Sequence, residues 1–339
     1  MAYTAGIRSV FHRKKRSTVH YVHSNRKGDV MLKYVLKRLG YILVTLWVIV
    51  TCTFFMMKNL PGTPFDAERF SIMTPQQQER VLEMYGLNDS LPMQYVKYIK
   101  NMLKGDLGTS FTYVNQDVSK VITGRLGPSA LIGIQAVLIG LAIGLILGIL
   151  AAWKHNSGID YFTMILAVLG VSVPNFVAAA LLQYYIGLKW GVLPVGFWNC
   201  SVLPSIALSF SATAMVARFM RTEMLDVLDQ DYIVTARAKG LSQMKVLMRH
   251  AVRNSILPVV TILGPIVVNL MTGSLAVENI FSIPGIGSLF VDCIKANDYP
   301  VIMGITIFYA AFYMLIVLLV DLAYSLIDPR IRLAKGKES

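Results

Sequence analysis

Six long stretches without Asp, Glu, Lys or Arg dominate the pattern of apolar and polar positions along the chain. They cover residues 39–57, 126–153, 161–188, 190–217, 254–277 and 299–320. About 20 residues of α-helix cross the apolar core of a bilayer. The pattern therefore predicts an all-α polytopic membrane protein with six transmembrane helices. The fourth helix should centre on 203–221, because Pro194, Gly196 and Pro204 interrupt the start of its stretch.

The distribution of basic residues predicts the orientation of these helices. If the N-terminus is cytoplasmic, 22 of the 32 Lys and Arg residues fall in cytoplasmic segments, as the positive-inside rule requires. An N-in/C-in topology follows. The net charge of +13 is then a signature of membrane topology and not of a nucleic-acid-binding surface. A content of 55% hydrophobic and 15% charged residues argues against a soluble enzyme.

This topology divides the chain into five parts. They are a basic cytoplasmic extension (1–30), a first span (31–57), an extracellular segment (58–125), a five-span core (126–327) and a cytoplasmic tail (328–339). Two short amphipathic helices are predicted in the extracellular segment. One begins at Pro75, and the other carries Tyr95, Tyr98, Ile99 and Met102 on one face, which we expect to pack on the membrane domain.

Within the spans, glycines, a proline and polar residues are the positions that predict helix packing or a translocation path. Gly140, Gly144 and Gly148 recur every four residues, which predicts close helix–helix contact in lipid. Pro174 predicts a kink in the third span. A translocation path could be lined by a small set of span residues, namely Gln135, Pro174, Asn175, Gln183 and Asn269. Polar span residues also bind neighbouring helices together, so both roles stay open.

The longest internal cytoplasmic segment, loop 218–253, carries the clearest functional pattern. Gly240 can stop a helix and Ser242 can begin another, which predicts a helix–turn–helix at the inner membrane surface. Another protein could bind such a short helix in a groove of its surface. The chain contains no Gly-x4-Gly-Lys-Ser/Thr phosphate loop and no His-Glu-x-x-His motif. We therefore expect neither an enzyme nor a metal site, and any energy source has to be supplied by a partner.

The run Thr235-Ala236-Arg237-Ala238-Lys239-Gly240-Leu241-Ser242 resembles the EAA loop of bacterial ABC importer permeases in its peptide/nickel branch. Only Ala236 and Gly240 match the general EAA pattern strictly. Other segments are similar to the B-type permease subunit of oligopeptide importers, among them 60–64, 105–110, 281–287 and 327–330. The resemblance covers the chain from Met31 onward.

The resemblance implies the fold of a type I ABC importer permease in a bacterial cell membrane. It implies three kinds of protein partner: a second, C-type permease subunit, two cytoplasmic ATPase subunits and an extracellular substrate-binding protein. ATP and Mg would bind to the ATPases, and this chain would bind peptide and lipid but no cofactor and no nucleic acid. Coupling to the ATPases would involve Thr235, Ala236, Arg237, Ala238, Lys239, Gly240, Leu241, Ser242, Lys245 and Val246, with a docking helix around 238–246.

The expected activity is ATP-driven import of oligopeptides. The alternatives are an importer of dipeptides, nickel chelate or haem, and a membrane scaffold that senses peptide without moving it. Spans without His disfavour a path for bare metal.

Overall fold

The computed structural model describes residues 35–59, 70, 72–84, 86–113, 116–195 and 201–327. The described part of the chain is helical, and its only extended pairing is a single bridge between Thr109 and Asp117. The predicted extension 1–30 and tail 328–339 lie outside the described residues. By its packing the chain divides into two units, Met1–Cys52 and Thr53–Ser339.

The helices are numbered here in chain order. They are α1 (Val35–Lys58), α2 (Pro75–Met84), α3 (Leu91–Leu103), α4 (Val118–Trp153), α5 (Gly158–Ser172), α6 (Asn175–Leu182), α7 (Val202–Leu228), α8 (Asp231–Ala238), α9 (Gln243–Lys245), α10 (Arg253–Ile280), α11 (Ile286–Lys295) and α12 (Tyr299–Ile327). Two π-helical segments, Gln183–Lys189 and Val246–Val252, continue α6 and join α9 to α10.

The described part of the first unit is the beginning of α1. The hydroxyls of Thr45 and Thr51 donate to the backbone carbonyls of Tyr41 and Trp47, at 2.8 and 2.7 Å, so these polar groups are satisfied within the helix. Leu43 and Trp47 are exposed. An apolar outer surface with internally paired hydroxyls suits a helix in contact with lipid.

Among the described residues, five helices are long and apolar enough to cross a membrane, and a bent pair of helices brings the number to six if it counts as one span. That pair, α5 and α6 with its π-helical continuation, stands where the sequence predicts a single third span with a kink. The structure corrects the kink to a break of 102°. Val173 is extended (ψ 120°), as the residue before a proline prefers, and the Pro174 carbonyl accepts the first hydrogen bonds of α6.

The predicted glycine stripe lies at the contact between α4 and α7. A Cβ atom on Gly140 or Gly144 would lie 2.7 Å from the Cβ of Ala212 or Val216, respectively. On Gly148 it would lie 2.7 Å from the Ala217 carbonyl oxygen. Only glycine permits this approach, so the prediction of close helix contact is confirmed. The same two helices and α10 enclose the main apolar core, which includes Leu208, Met220, Met224, Ile266 and Leu270.

The two amphipathic helices of segment 58–125 are present. As predicted, α2 begins at Pro75. On α3, Tyr95 stacks on Phe55 with ring centroids 5.8 Å apart, and the Tyr98 ring lies 5.9 Å from that of Phe54. The predicted face thus packs on the end of α1. Helix α4 begins at Val118, inside segment 58–125, so the end of that segment belongs to a long helix and not to a separate outer region.

Candidate functional site

Loop 218–253 folds as a helix–turn–helix, and its turn is closed by a glycine. Gly240 has φ +77°, the Gly240 amide donates to the Arg237 carbonyl at 3.0 Å, and the Leu241 amide donates to the Ala236 carbonyl at 3.4 Å. This pair of bonds is the Schellman motif that ends helices at a glycine. The expected docking helix around 238–246 is therefore not continuous, because it contains the end of α8, the turn and the start of α9.

A small apolar cluster holds the loop in this shape. Ile233, Ala236 and Val246 are buried against one another, with Val227 and Leu228 packed beside them. Ala236 and Val246 were expected among the residues that couple to an ATPase. Because both side chains are buried, they support the loop from inside, whereas the rest of that set lies on its surface.

The other eight predicted coupling residues are exposed: Thr235, Arg237, Ala238, Lys239, Gly240, Leu241, Ser242 and Lys245. The structure thus brings them together on the outer surface of one turn, and three of them are basic. Three apolar residues outside the ten predicted coupling residues, Val234, Met244 and Met248, are also 59%, 52% and 53% exposed. Their signal in the sequence is the spacing of four between Met244 and Met248, two apolar positions within a polar loop.

Where the loop enters α10, a cavity of about 580 Å³ is lined by Arg249, His250, Arg253, Asn254, Ile256 and Leu257. The side-chain Nδ2 of Asn254 donates to the Tyr232 hydroxyl at 3.1 Å and so links α10 to α8. In the described part of the chain, no carboxylate forms an ion pair with Arg249 or Arg253.

A buried ion pair connects α7 to α5. Asp160, in the first turn of α5, is 2% exposed and accepts hydrogen bonds from the Arg221 guanidinium at 2.5 and 2.8 Å. The backbone amide of Asn156 donates to Asp160 Oδ2 at 3.0 Å, and His155 Nδ1 lies 3.1 Å from the same oxygen. Sequence analysis assigned no role to this cluster. Arg221 lies 61 residues after Asp160 in the chain, so only the packing of α5 on α7 reveals the pair.

The predicted path residues occupy varied positions. The Ser205 hydroxyl donates to Gln135 Oε1 at 2.9 Å, which links α7 to α4. Gln183 Nε2 donates to the Ile280 carbonyl at 2.6 Å. Pro174 is exposed and Asn175 is half-buried at the break between α5 and α6. The side chain of Asn269 lies outside the described part of the structure.

A second buried carboxylate, Glu278, joins three helices. Its oxygens accept hydrogen bonds from the Ser129 hydroxyl of α4 at 2.8 Å and from the Ser288 amide in the first turn of α11 at 3.0 Å. Ser129 in turn accepts a hydrogen bond from the Ile286 amide at 2.8 Å. The first amides of a helix have no partner within the helix, and the Glu278 oxygen supplies an acceptor for one of them. Glu278 therefore fixes the position of α11 relative to α4 and α10.

These features define a class of protein: a multi-pass α-helical membrane protein with a polar helix–turn–helix between two of its spans. The chain belongs to the family described as "Binding-protein-dependent transport system inner membrane component", which matches residues 144–333. The N-terminal region of such components matches residues 31–127. The resemblance found in the sequence is thereby confirmed.

Similar proteins cover almost the same length. The dipeptide transport system permease protein DppB of Lactococcus lactis is 46% identical over 89% of this chain and 100% of its own length. The protein of the same name from Bacillus subtilis is 43% identical over 90% of this chain and 99% of its own length. The oligopeptide transport system permease protein OppB of Haemophilus influenzae is 39% identical, with 89% and 100% covered.

Proposed function

We propose that this chain is one of the two permease subunits of an ATP-driven importer of short peptides. A second permease subunit, two ATPase subunits and a substrate-binding protein would complete the importer. Membership of the family of transport-system membrane components supports this assignment, as do relatives that are named as peptide permeases. The exposed turn at Gly240 carries the proposal, because a chain without its own phosphate loop needs a surface through which an ATPase can move it.

In this proposal the turn is the contact with the ATPase. Thr235, Ala238, Leu241 and Ser242 form the neutral part of the contact surface, and Arg237, Lys239 and Lys245 supply positive charge. Ala236 and Val246 act from beneath, because they belong to the apolar cluster that makes the loop rigid. A rigid loop transmits movement of the ATPase to α7 and α10, and the spans change between inward- and outward-facing states.

The path for the peptide is proposed to run beside the break between α5 and α6. Pro174 and Asn175 stand at this break, and a broken helix leaves backbone carbonyls free to meet a peptide amide. Gln135, Gln183 and Asn269 are assigned to the same path. The hydrogen bonds of Gln135 and Gln183 to Ser205 and Ile280 would have to open for direct contact with a peptide.

The proposal has two forms, which differ in whether the imported peptides are dipeptides or oligopeptides. The resemblance of the sequence to the B-type subunit of oligopeptide importers favours oligopeptides. The higher identity to the two dipeptide permeases, 46% and 43% against 39% for the oligopeptide permease, favours dipeptides. Uptake of a labelled dipeptide and a labelled pentapeptide into vesicles that contain the complete importer distinguishes the two. A sensing scaffold predicts that neither is taken up.

The role of the turn is tested with a graded series at Gly240. Asparagine tolerates a positive φ, so Gly240→Asn should retain most of the uptake. Proline cannot adopt φ +77°, so Gly240→Pro should abolish uptake while the chain still inserts in the membrane. Gly191→Pro is the matched control, because Gly191 also has a positive φ (+61°) and a Cβ atom on either glycine would meet no neighbouring atom within 4 Å. Normal uptake with Gly240→Pro, or equal loss with Gly191→Pro, would contradict the coupling role.

A further inference from the structure

The cavity at the start of α10 has a basic part and an apolar part along one helix. Arg249 and Arg253 line it on the side of loop 218–253, and Ile256 and Leu257 line it further into the span. None of its six lining residues is acidic. Its volume of about 580 Å³ is in the range of cavities that hold small ligands. The cavity therefore suits an anionic group that continues into an apolar body.

The packing of α10 on α7 turns the basic side chains away from the protein core. Ala251 and Ser255 are buried, and the Ser255 hydroxyl donates to the Glu223 carbonyl of α7 at 3.3 Å. Arg249 and Arg253 precede these two positions by two residues, which places them about half a turn round the helix. Both arginines are exposed. They are therefore accessible to a molecule that approaches from outside the helix bundle.

The backbone that carries the arginines is itself unusual. The segment Val246–Val252, which contains Arg249, is π-helical and ends directly before Arg253. Such segments are rare and are frequent at functional sites. The irregular backbone is an observation separate from the charge pattern, and both mark the same place.

The depth of the two arginines matches the headgroup layer of a membrane. Arg253 is the last basic residue before the uncharged stretch 254–277, and Arg249 lies four residues earlier. At a rise of about 1.5 Å per residue or less, their Cα atoms are at most about 6 Å apart along the helix. The headgroup layer on each side of the apolar core is about 5–8 Å thick. Both guanidinium groups therefore lie at the level of lipid phosphates, and Leu257 lies at the level of acyl chains.

We propose that this cavity binds one anionic glycerophospholipid, whose phosphate is held by Arg249 and Arg253 and whose acyl chain lies along Ile256 and Leu257. A guanidinium group binds phosphate oxygens through two parallel hydrogen bonds. Basic pockets at the ends of spans recognise anionic headgroups in this way. A zwitterionic lipid offers the same phosphate but carries its own cation, and a free phosphate ion has no chain to contact the apolar part. Binding here goes beyond the proposed function, because it requires neither an ATPase nor a peptide.

The experiment compares dioleoylphosphatidylglycerol with dioleoylphosphatidylcholine on the purified full chain. The chain is equilibrated in mild detergent with equal amounts of the two lipids, and native mass spectrometry counts the lipids that stay bound. Each basic residue near a membrane surface favours an anionic lipid about fivefold, so we expect one bound phosphatidylglycerol with a preference of about twentyfold. Arg249→Gln and Arg253→Gln should each lower this preference about fivefold.

Arg218→Gln is the matched control. Arg218 is exposed and is the first charged residue after the uncharged stretch 190–217, so it stands at the corresponding edge of α7. It does not line the cavity, and its replacement should leave the preference unchanged. Thermal unfolding in detergent alone separates binding from folding. All three variants should unfold as the parent chain does, because substitutions of exposed side chains change stability little.

Three results would overturn the proposal. An equal loss of preference with Arg218→Gln, or none with Arg249→Gln and Arg253→Gln, would show that no specific site exists. Displacement of the lipid by inorganic phosphate, at an ionic strength where sodium chloride does not displace it, would define a site for the free ion. Displacement of the lipid by the ATPase subunits would assign the arginines to that protein contact. Uptake of peptide by the complete importer tests the proposed function separately.

Discussion

Arg221 and Asp160 form a two-point ion pair in which Nε donates to Oδ1 at 2.5 Å and Nη2 donates to Oδ2 at 2.8 Å. Arg221 lies on α7, which leads into loop 218–253, and Asp160 lies in the first turn of α5. Because both side chains are largely shielded, the pair is held in one geometry. Movement of the loop end of α7 is therefore linked directly to α5, the first half of the broken span.

Asp160→Asn should strongly destabilise the chain, because it leaves the Arg221 guanidinium without its counter-charge. Breaking a buried ion pair on one side costs about 3–5 kcal/mol. Asp89→Asn, which breaks the exposed pair of Asp89 with Lys97, is the control and should cost less than about 1 kcal/mol. Unfolding in detergent, followed by circular dichroism, measures both variants. Equal losses would mean that the Asp160 pair contributes no more than a surface pair.

Gly144→Ala should destabilise the packing of α4 on α7, whereas Gly133→Ala on the same helix should not. A Cβ at Gly144 meets Val216 Cβ at 2.7 Å and the Thr213 carbonyl at 2.8 Å, but a Cβ at Gly133 meets nothing within 4 Å. Overpacking costs about 1–3 kcal/mol, and alanine in an open helix position gains about 0.5–1 kcal/mol over glycine. The midpoints of thermal unfolding of the two variants should therefore shift in opposite directions. A shared direction would show that the contact is loose.

Ile233→Ala should loosen loop 218–253 without unfolding the membrane core. Ile233 is fully buried in the small cluster under the turn, and deletion of such a side chain costs about 2–5 kcal/mol. Hydrogen exchange of the backbone amides in 231–246 should therefore accelerate, while exchange in α4 stays the same. Val234→Ala, at the exposed neighbouring position, provides the comparison and should leave exchange unchanged. Faster exchange throughout the protein would mean that the cluster also supports the core.

Cys293 should resist alkylation at neutral pH. Burial raises the pKa of this thiol to about 12, so the reactive thiolate is populated only as the pH approaches that value. At pH 8 only a very small fraction of this thiol is ionised. Iodoacetamide labelling, read by mass spectrometry, should be slow in the folded chain and fast in denaturant. A cysteine introduced by Lys295→Cys, at an exposed position of the same helix, should react quickly in both states. Rapid labelling of Cys293 in the folded chain would show that α11 opens.

The hydropathy of the chain was sufficient to predict its class and most of its helices. Uncharged stretches long enough to cross a bilayer can be recognised without knowledge of their neighbours, because transfer into lipid depends on each segment's own composition. The turn at Gly240 was predictable for a similar reason, since a helix end depends on local backbone preferences. The glycine spacing in α4 likewise identified one face of one helix.

Other features became visible only in the tertiary structure. The sequence indicated a kink at Pro174, but the angle of 102° depends on what α5 and α6 pack against. The exposed members of the predicted coupling set could be separated from the buried Ala236 and Val246 only once α8 was seen against the π-helical segment. Asp160 with Arg221, and Glu278 with Ser129, are brought together across long stretches of chain.

The difference has one physical origin. A segment's own side chains and backbone determine whether it partitions into lipid and where its helix ends. Both properties can therefore be predicted from the local sequence. A buried carboxylate is stable only where a donor from another helix reaches it, and a glycine can be replaced only where no other helix touches it. Those conditions concern pairs of distant residues, and the packing of the helices decides them.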